Sequence, residues 1–393
     1  MKTLVLDQTG QLGGGELSLL DLLPAWPGAV RVALFADGPF REALQARGIA
    51  VEVWPGGALL DVRREQPARA ALHALPALAG LLRRIRHAAR DDDLIYANSQ
   101  KAFVAAALGV PARVPLIWHL RDLLTSAHFS RGMRRLAVTL ANRRAACVIA
   151  NSQATADAFV TAGGAARKLR VVHNGIDPAP FDALGGDQVA AARVALGLRA
   201  DMPVVGLFGR LTPWKGQSVL LEALARLPGV QGLIVGAALF GEDAYAARLR
   251  DRAAQPDLAG RVRFLGFRHD IPALMKAVDV VCHASVDPEP FGRVIVEGML
   301  AGRPLVASAA GGVLELIDDG VTGVLVPPGD VAALAVALRR VLDDAALAAR
   351  LASAGGATAR SRFSLAAMRA GVYAVLQEVR MQQNRSMPEG DAL

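Results

Sequence analysis

Cysteine is nearly missing from this chain: two of 393 residues, Cys147 and Cys282. Two thiols make no disulfide framework, so both are expected as buried small apolar side chains in a reducing cytoplasm. Aromatic residues are only 5% of the chain. None is interleaved with the arginine clusters, which argues against a nucleic-acid partner. No apolar run reaches the roughly 18 residues of a membrane span. The nearest, Ala105 to Trp118, carries Arg113 and two prolines. The first residues do not read as a secretion signal, because Asp7 closes the short apolar run Leu4–Leu6. Histidines and carboxylates are scattered without metal-ligand spacing, so neither metal nor cofactor is expected. A Gly-x-Ser-x-Gly elbow is absent, which argues against a hydrolase of that kind.

What is present is a large apolar content, 53% hydrophobic against 20% charged. That excludes a disordered or fibrous protein. The length exceeds the roughly 250–300 residues at which single cores stop growing, so two domains are expected. The net charge of +8 is unevenly spread. Residues 61–150 hold fifteen Lys and Arg against six Asp and Glu. The clusters are Arg83-Arg84-Arg86, Arg131-Arg134-Arg135 and Arg143-Arg144. Such a region attracts an anionic surface.

Short apolar runs alternate with amphipathic ones from end to end. Thr3–Leu6, Val30–Phe35, Leu94–Ala97, Pro115–Trp118, Val148–Ala150 and Val171–Ile176 read as strands of a first series. A second series runs Val204–Phe208, Gly232–Val235, Val262–Leu265, Val280–His283, Pro304–Ala307 and Gly323–Val326. Helical runs lie between them, among them Glu16–Leu23, Ala68–Ala89, Lys101–Leu108, Arg293–Leu300 and Val331–Leu342. This alternation implies α/β domains with parallel sheets covered on both faces. The turn-rich stretch from Asp177 places the boundary near Pro178. One last helical run, Leu365–Met381, precedes a polar tail expected to be disordered.

Ligands bind such sheets beyond the carboxyl ends of their strands. Three motifs stand there. Gly209-Arg-Leu-Thr-Pro-Trp-Lys215-Gly216 follows the strand Val204–Phe208 and places Arg210 and Lys215 on one turn, suited to a diphosphate. It is not a Walker loop, since the lysine precedes the glycine. A surface turn with solvated cations explains it equally well. Glu289-Pro-Phe-Gly-Arg-Val-Ile-Val-Glu297 follows Val280–His283 and sets an anion-favouring helix start, Phe291 to Val294, between two carboxylates. Each carboxylate can clamp a vicinal diol. Either glutamate alone reads as an ordinary helix charge; together they suggest a nucleotide-sugar. Gly13-Gly-Gly-Glu16 lets a backbone approach a ligand closely, although a plain turn is as good a reading. It is not a dinucleotide fingerprint. Asn98, Ser99, His119, Arg121, Asp122, Asn151, Ser152, His173 and Asn174 end other strands and suggest a polar wall. His173 alone reads as structural.

On these residues the chain resembles the retaining glycosyltransferases of family 4, glycosyltransferase group 1. The resemblance runs through "GRLTPWKGQ", "LGFRHDIPALMKAVDVVCHAS", "EPFGRVIVEGMLAGRPLVAS" and "GGVLELIDDGVTGVLVPPGD", nearly all of residues 203–330. It is looser in "GQLGGGELSLLDLL", "WHLRD", "ANSQATADAF" and "VVHNGID". It implies the GT-B fold: two Rossmann-like doubly wound domains facing a cleft, with a C-terminal helix crossing back to the first. The implied division is 1–177 with 365–382 for the acceptor, 178–364 for the donor, and a disordered tail over 383–393. Arg210 and Lys215 would hold the donor diphosphate. Glu289 would hold the transferred sugar and Glu297 the ribose. The amides of Phe291, Gly292, Arg293 and Val294 would serve phosphates and sugar. Gly14 and Gly15 would approach the donor, and His119 would line the reaction centre. The base would lie near Phe267 and Arg268. Trp214 replaces a common acidic residue, and Asp7 and Gln8 replace small ones.

The activity so implied is metal-free, retaining hexose transfer from a nucleotide-diphosphate sugar to a hydroxyl acceptor, a lipid-linked or cell-envelope glycan. The partners are then that donor, that acceptor and an anionic membrane surface, on the cytoplasmic side. The stretches Ala71–Arg90 and Phe129–Arg144 fit membrane-interface helices or ordinary solvated ones equally. Two rival readings stand beside this one: a nucleotide-sugar epimerase of the same fold, and a non-catalytic protein that docks on anionic surfaces.

Overall fold

The computed structural model describes residues 1–56, 75–125, 129–239 and 241–386. Two compact units share the chain: 1–175 with 365–393, and 176–364. The sequence places this division two residues later, after 177.

In the first unit seven parallel strands order as β3-β2-β1-β4-β5-β6-β7. They are β1 (Lys2–Asp7), β2 (Ala29–Leu34), β3 (Ala50–Val53), β4 (Leu94–Ala97), β5 (Leu116–Leu120), β6 (Cys147–Ala150) and β7 (Leu169–Val171). The inner strands β4, β5 and β6 are buried at every residue. Continuous apolar runs are what a sheet covered on both faces requires. One face packs around Phe103 and Trp118, whose rings stack at 4.3 Å. The other packs around Tyr96 and Ile117, and Met368, Val372, Val375 and Leu376 of the helix Leu365–Ser386 cover it.

The second unit has six parallel strands, order β10-β9-β8-β11-β12-β13. They are β8 (Val204–Phe208), β9 (Gln231–Val235), β10 (Val262–Phe264), β11 (Val280–His283), β12 (Leu305–Ser308) and β13 (Val324–Val326). Its two faces carry separate cores, one around Leu220, Leu224 and Leu338, the other around Phe208, Phe291 and Ile295. Among the described residues no helix is long and apolar enough to cross a membrane.

Several elements differ from the sequence reading. Strand β3 was not expected: as an edge strand it only half-buries alternate residues and lacks an apolar run. Strand β7 ends at Val171, where a strand Val171–Ile176 is expected. The helix Ala345–Arg362 was not expected either, because Gly355 and Gly356 interrupt it. Gly355 has a packing reason: a Cβ there would lie 3.2 Å from the Met299 side chain and 3.1 Å from the Thr322 carbonyl oxygen. The turn-rich stretch from Asp177 contains a short helix, Ala179–Asp182, and a second, Gly186–Ala195, begins where it ends. The C-terminal helix continues to Ser386, so residues 383–386 are helical where the tail was expected to begin. The rest of that tail lies outside the described residues, as do the first residues of the stretch Ala71–Arg90.

Both cysteines are buried, and burial pushes each thiol up to about 12. They behave as small apolar side chains.

Candidate functional site

In the second unit the winding direction reverses between β8 and β11, the point at which such sheets bind ligands. The loop after β8 carries Arg210 and Lys215; the loop after β11 carries Glu289. The two loops are fastened together. The Val286 amide donates to the Trp214 carbonyl at 2.8 Å. Gly216, at φ +69°, lets the first loop touch the second, since a Cβ there would lie 1.9 Å from the Ala284 carbonyl oxygen. The Lys215 ammonium lies 4.2 Å from the centre of the Trp214 ring. The tryptophan found where an acid is common thus supports the lysine as a cation–π platform.

Lys215 donates to Glu289 Oε1. Ser285 Oγ donates to the same oxygen at 2.8 Å, and His283 Nε2 lies 3.1 Å from it. Glu289 and His283 are each 5% exposed and Ser285 1%. Burial alone would push the Glu289 carboxyl up. The Lys215 charge and the hydrogen bond from His283 overcome that and hold it well below the usual carboxylate range. Its backbone is also tied, for the Gly312 amide donates to the Glu289 carbonyl at 2.8 Å.

The helix Arg293–Leu300 begins at Gly292, which adopts φ +98° at its N-cap. Its first-turn amides, around Arg293 and Val294, therefore open at the carboxyl edge of the sheet beside Glu289. Phe291 is buried edge-on against Phe363, with ring centres 6.0 Å apart. Glu297 lies one turn into the helix and pairs with Arg293 at 3.5 Å. Arg210 is exposed, and its carbonyl accepts from the buried Gln217 side chain at 2.7 Å. Phe267 is 57% exposed after β10 and meets His269 edge-to-face. The Gly236 amide donates to the Gly266 carbonyl at 2.8 Å, and Gly236 abuts Gly209, so the loops after β8, β9 and β10 touch in sequence. Arg268 pairs with Asp270 at 2.6 Å.

The structure therefore joins Lys215 to Glu289 directly and sets Arg210, Phe267, Phe291, Gly292, Arg293, Val294 and Glu297 on adjoining loops or the adjoining helix. Sequence reasoning missed His283 and Ser285. The available signal was their place at the end of β11 and just beyond it. Among the described residues no group of three or more His, Cys, Asp or Glu is disposed to hold a metal.

In the first unit the winding reverses between β1 and β4. Asp7, at the end of β1, accepts from the Asn98 side chain at 2.7 Å. Arg121 donates to Asn98 at 3.0 Å and to Asn174 at 2.7 Å. Gln8 caps the helix after β4, accepting from the Lys101 amide at 3.2 Å. These two departures from small residues thus hold the loop ends together. Gly14 and Gly15 open the helix Gly14–Leu22, and Glu16 accepts from the Gly13 amide at 2.9 Å. Burial, then the negative charge of Asp7, pushes the Glu16 carboxyl up to about 8. Burial pushes Asp7 up to about 6.

His119 is a correction. It lies inside β5 rather than after it, because β5 runs on to Leu120. Strand alternation puts its ring on the face shared by Ile117 and Tyr96. It is fully buried there, with Nδ1 against the Tyr96 hydroxyl. Burial lowers its pKa well below the ordinary histidine value. The residue that does stand at the strand end is Arg121.

Residues 12–180 match the model of glycosyltransferase family 4, and residues 189–357 that of the glycosyl transferases group 1. A crystal structure of Anabaena Alr3699/HepE in complex with UDP and glucose is 42% identical. The likeness covers 96% of this chain and 100% of that one, with a TM-score of 0.87. This chain belongs to the group 1, family 4 glycosyltransferases.

Its fold is therefore GT-B. Similar curated proteins include the lipopolysaccharide core biosynthesis glycosyltransferase LpsE of Rhizobium meliloti, 35% identical over 56% of this chain and 61% of that protein. A D-inositol 3-phosphate glycosyltransferase of Mycobacteroides abscessus is 38% identical over 46% of this chain and 40% of that protein. The glycosyltransferase thus spans less than two thirds of the length of these curated relatives.

Proposed function

We propose that the protein is a retaining hexosyltransferase that takes its sugar from a UDP-activated donor and passes it, without metal, to a hydroxyl of a lipid-linked or cell-envelope glycan. The observation that carries this reading is the Lys215–Glu289 pair beside the Gly292 helix start at the reversal point of the second sheet. The uridine assignment is supported by the UDP and glucose bound to the 42%-identical relative. The acceptor class is supported by the lipopolysaccharide role in the name of LpsE.

Lys215 and Arg210 supply cations for the diphosphate, and the first-turn amides at Arg293 and Val294 supply oriented dipoles. The described hydrogen bonds to the Glu289 carboxylate all end on Oε1. Oε2 is left for the sugar hydroxyls, and Glu297 serves the ribose. In the reaction the bond from the anomeric carbon to the donor phosphate oxygen breaks, and its electron pair goes to the diphosphate. The acceptor oxygen bonds to the anomeric carbon on the same face. Its proton passes to a donor phosphate oxygen. Charge builds on the diphosphate, where preplaced donors stabilise it.

A thermal-shift screen against UDP-, GDP-, ADP- and TDP-sugars tests the donor, since a ligand stabilises the folded state according to its affinity. UDP-glucose should give the largest shift. A larger shift with a GDP-sugar would reject the uridine assignment. Conversion of the nucleotide-sugar into its epimer with no acceptor present would favour an epimerase.

The first unit adds a membrane reading. The helix Arg131–Arg144 buries Ala137, Val138 and Ala141, and exposes Leu136 among its arginines. Such a face suits an anionic lipid surface. Sedimentation with anionic vesicles at low salt should show binding; its absence would end this reading.

A further inference from the structure

The Glu289 carboxylate is gripped by more than the lysine. His283 is the last residue of β11, and its backbone is held in register against Ala307 of β12. Ser285 lies two residues further, while Cys282, of opposite direction in the strand, points into the apolar core. Ser285 has a single hydroxyl proton, and it is given to Glu289 Oε1 at 2.8 Å. His283 Nε2 lies 3.1 Å from that oxygen and 3.1 Å from Ser285 Oγ. Whichever of the two it faces is then an acceptor, so the imidazole proton must sit on Nε2. Nδ1 has no hydrogen-bond partner among the described residues. The ring thus has one polar task here, which is to direct Nε2–H at the Glu289 and Ser285 oxygens.

Lys215 cannot be the lasting anchor of this carboxylate. Its ammonium ends a flexible stem, and a bound diphosphate competes for the same charge. The imidazole, fixed by strand backbone, and the hydroxyl just beyond the strand are both buried and have no such competitor. We propose that His283 and Ser285 are positioning residues that clamp Oε1 of Glu289 and so aim Oε2 at the hydroxyls of the transferred sugar. This rests on the reading of Glu289 as the sugar ligand.

The test compares the parent enzyme with Glu289→Gln, His283→Ala, His283→Gln and Ser285→Ala. Two quantities are measured: the Kd for UDP by calorimetry, and the rate of glucose release from UDP-glucose with water as acceptor. His283→Ala and Ser285→Ala should bind UDP within about twofold of the parent, because UDP has no sugar for Glu289 to hold. Their glucose-release rates should fall about 10- to 100-fold, the scale of one lost hydrogen bond to a charged group. His283→Gln should recover most of the rate, since its amide nitrogen can stand in for Nε2. The proposal is overturned if the alanine variants keep the parent rate while Glu289→Gln loses it. It is also overturned if UDP affinity and rate fall together, or if glutamine restores nothing, for the two residues would then only support the fold. If the parent does not bind UDP, or Glu289→Gln releases glucose at the parent rate, the donor reading fails and takes this proposal with it.

Discussion

Lys215 and Glu289 stand 74 positions apart in the chain and share an ion pair in which the carboxylate is almost fully enclosed. Lys215→Ala removes both the cation proposed to hold the diphosphate and the charge that keeps Glu289 ionised. Sugar-transfer rate should drop roughly 10²–10³-fold, as on loss of one transition-state charge donor. The acid response should change as well. A carboxylate held below its ordinary value, 4.5 for glutamate, contributes stability that is complete above that value and disappears as pH falls through the lowered one. Without Lys215 the folded-state value lies nearer the ordinary one, so this acid-side loss should be smaller, which melting curves between pH 3 and pH 7 would reveal. An unchanged acid limb would reject the assigned role.

Gly216 is the hinge pin of this arrangement. Gly216→Ala forces a side chain into both a left-handed backbone and the Ala284 carbonyl oxygen. A cost of at least about 1–3 kcal/mol is expected, read as a fall in denaturant midpoint. Gly186, with no neighbour within 4 Å of a Cβ, begins a helix and provides the contrast. Gly186→Ala should be neutral or slightly stabilising. Equal effects at the two positions would mean that the loop does not depend on the close approach.

Stability should also decline on the alkaline side, through Glu16 and Asp7. Their folded-state values, about 8 and about 6, lie above the ordinary 4.5 and 3.8. Between the ordinary and raised values the folded chain binds more protons than the unfolded one, so stability falls as pH rises from about 4 to about 8. Glu16→Gln keeps an oxygen for the Gly13 amide but cannot ionise. It should flatten this slope and raise the melting temperature at pH 8. A slope identical to the parent's would place the titrating group elsewhere.

The C-terminal helix is held on the first unit by its apolar face more than by its charges. Leu376 is 2% exposed in the shared core, so Leu376→Ala should cost about 2–5 kcal/mol. Glu378 pairs with Arg170, but both side chains are a third or more exposed. Glu378→Gln should therefore cost less than about 1 kcal/mol. Chemical denaturation of the two variants checks the ranking; the reverse order would show that the ion pair is the anchor.

Much of this fold was legible because its sheets are parallel and covered on both faces. Strands such as Val204–Phe208 and Val280–His283 become unbroken apolar runs, and their carboxyl ends announce where polar motifs matter. The edge strand Ala50–Val53 was hidden because half of each residue pair faces outward. The helix Ala345–Arg362 was hidden because Gly355 is chosen for contact with Met299, against its helix propensity. His119 was misplaced because one residue of strand length decides whether a side chain ends at the sheet's edge or in its core.

The order of residues alone settled the alternation of strand and helix, the two-domain division, the loops that carry Arg210, Lys215 and Glu289, and the helix that carries Glu297. Local periodicity and turn chemistry encode all of these within a few residues. Which groups meet Glu289, and on which oxygen, was decided by the folded chain. The loops after β8 and β11 are distant in sequence, and only the pairing of those two strands and the close approach at Gly216 bring Lys215 to the carboxylate that His283 and Ser285 already hold.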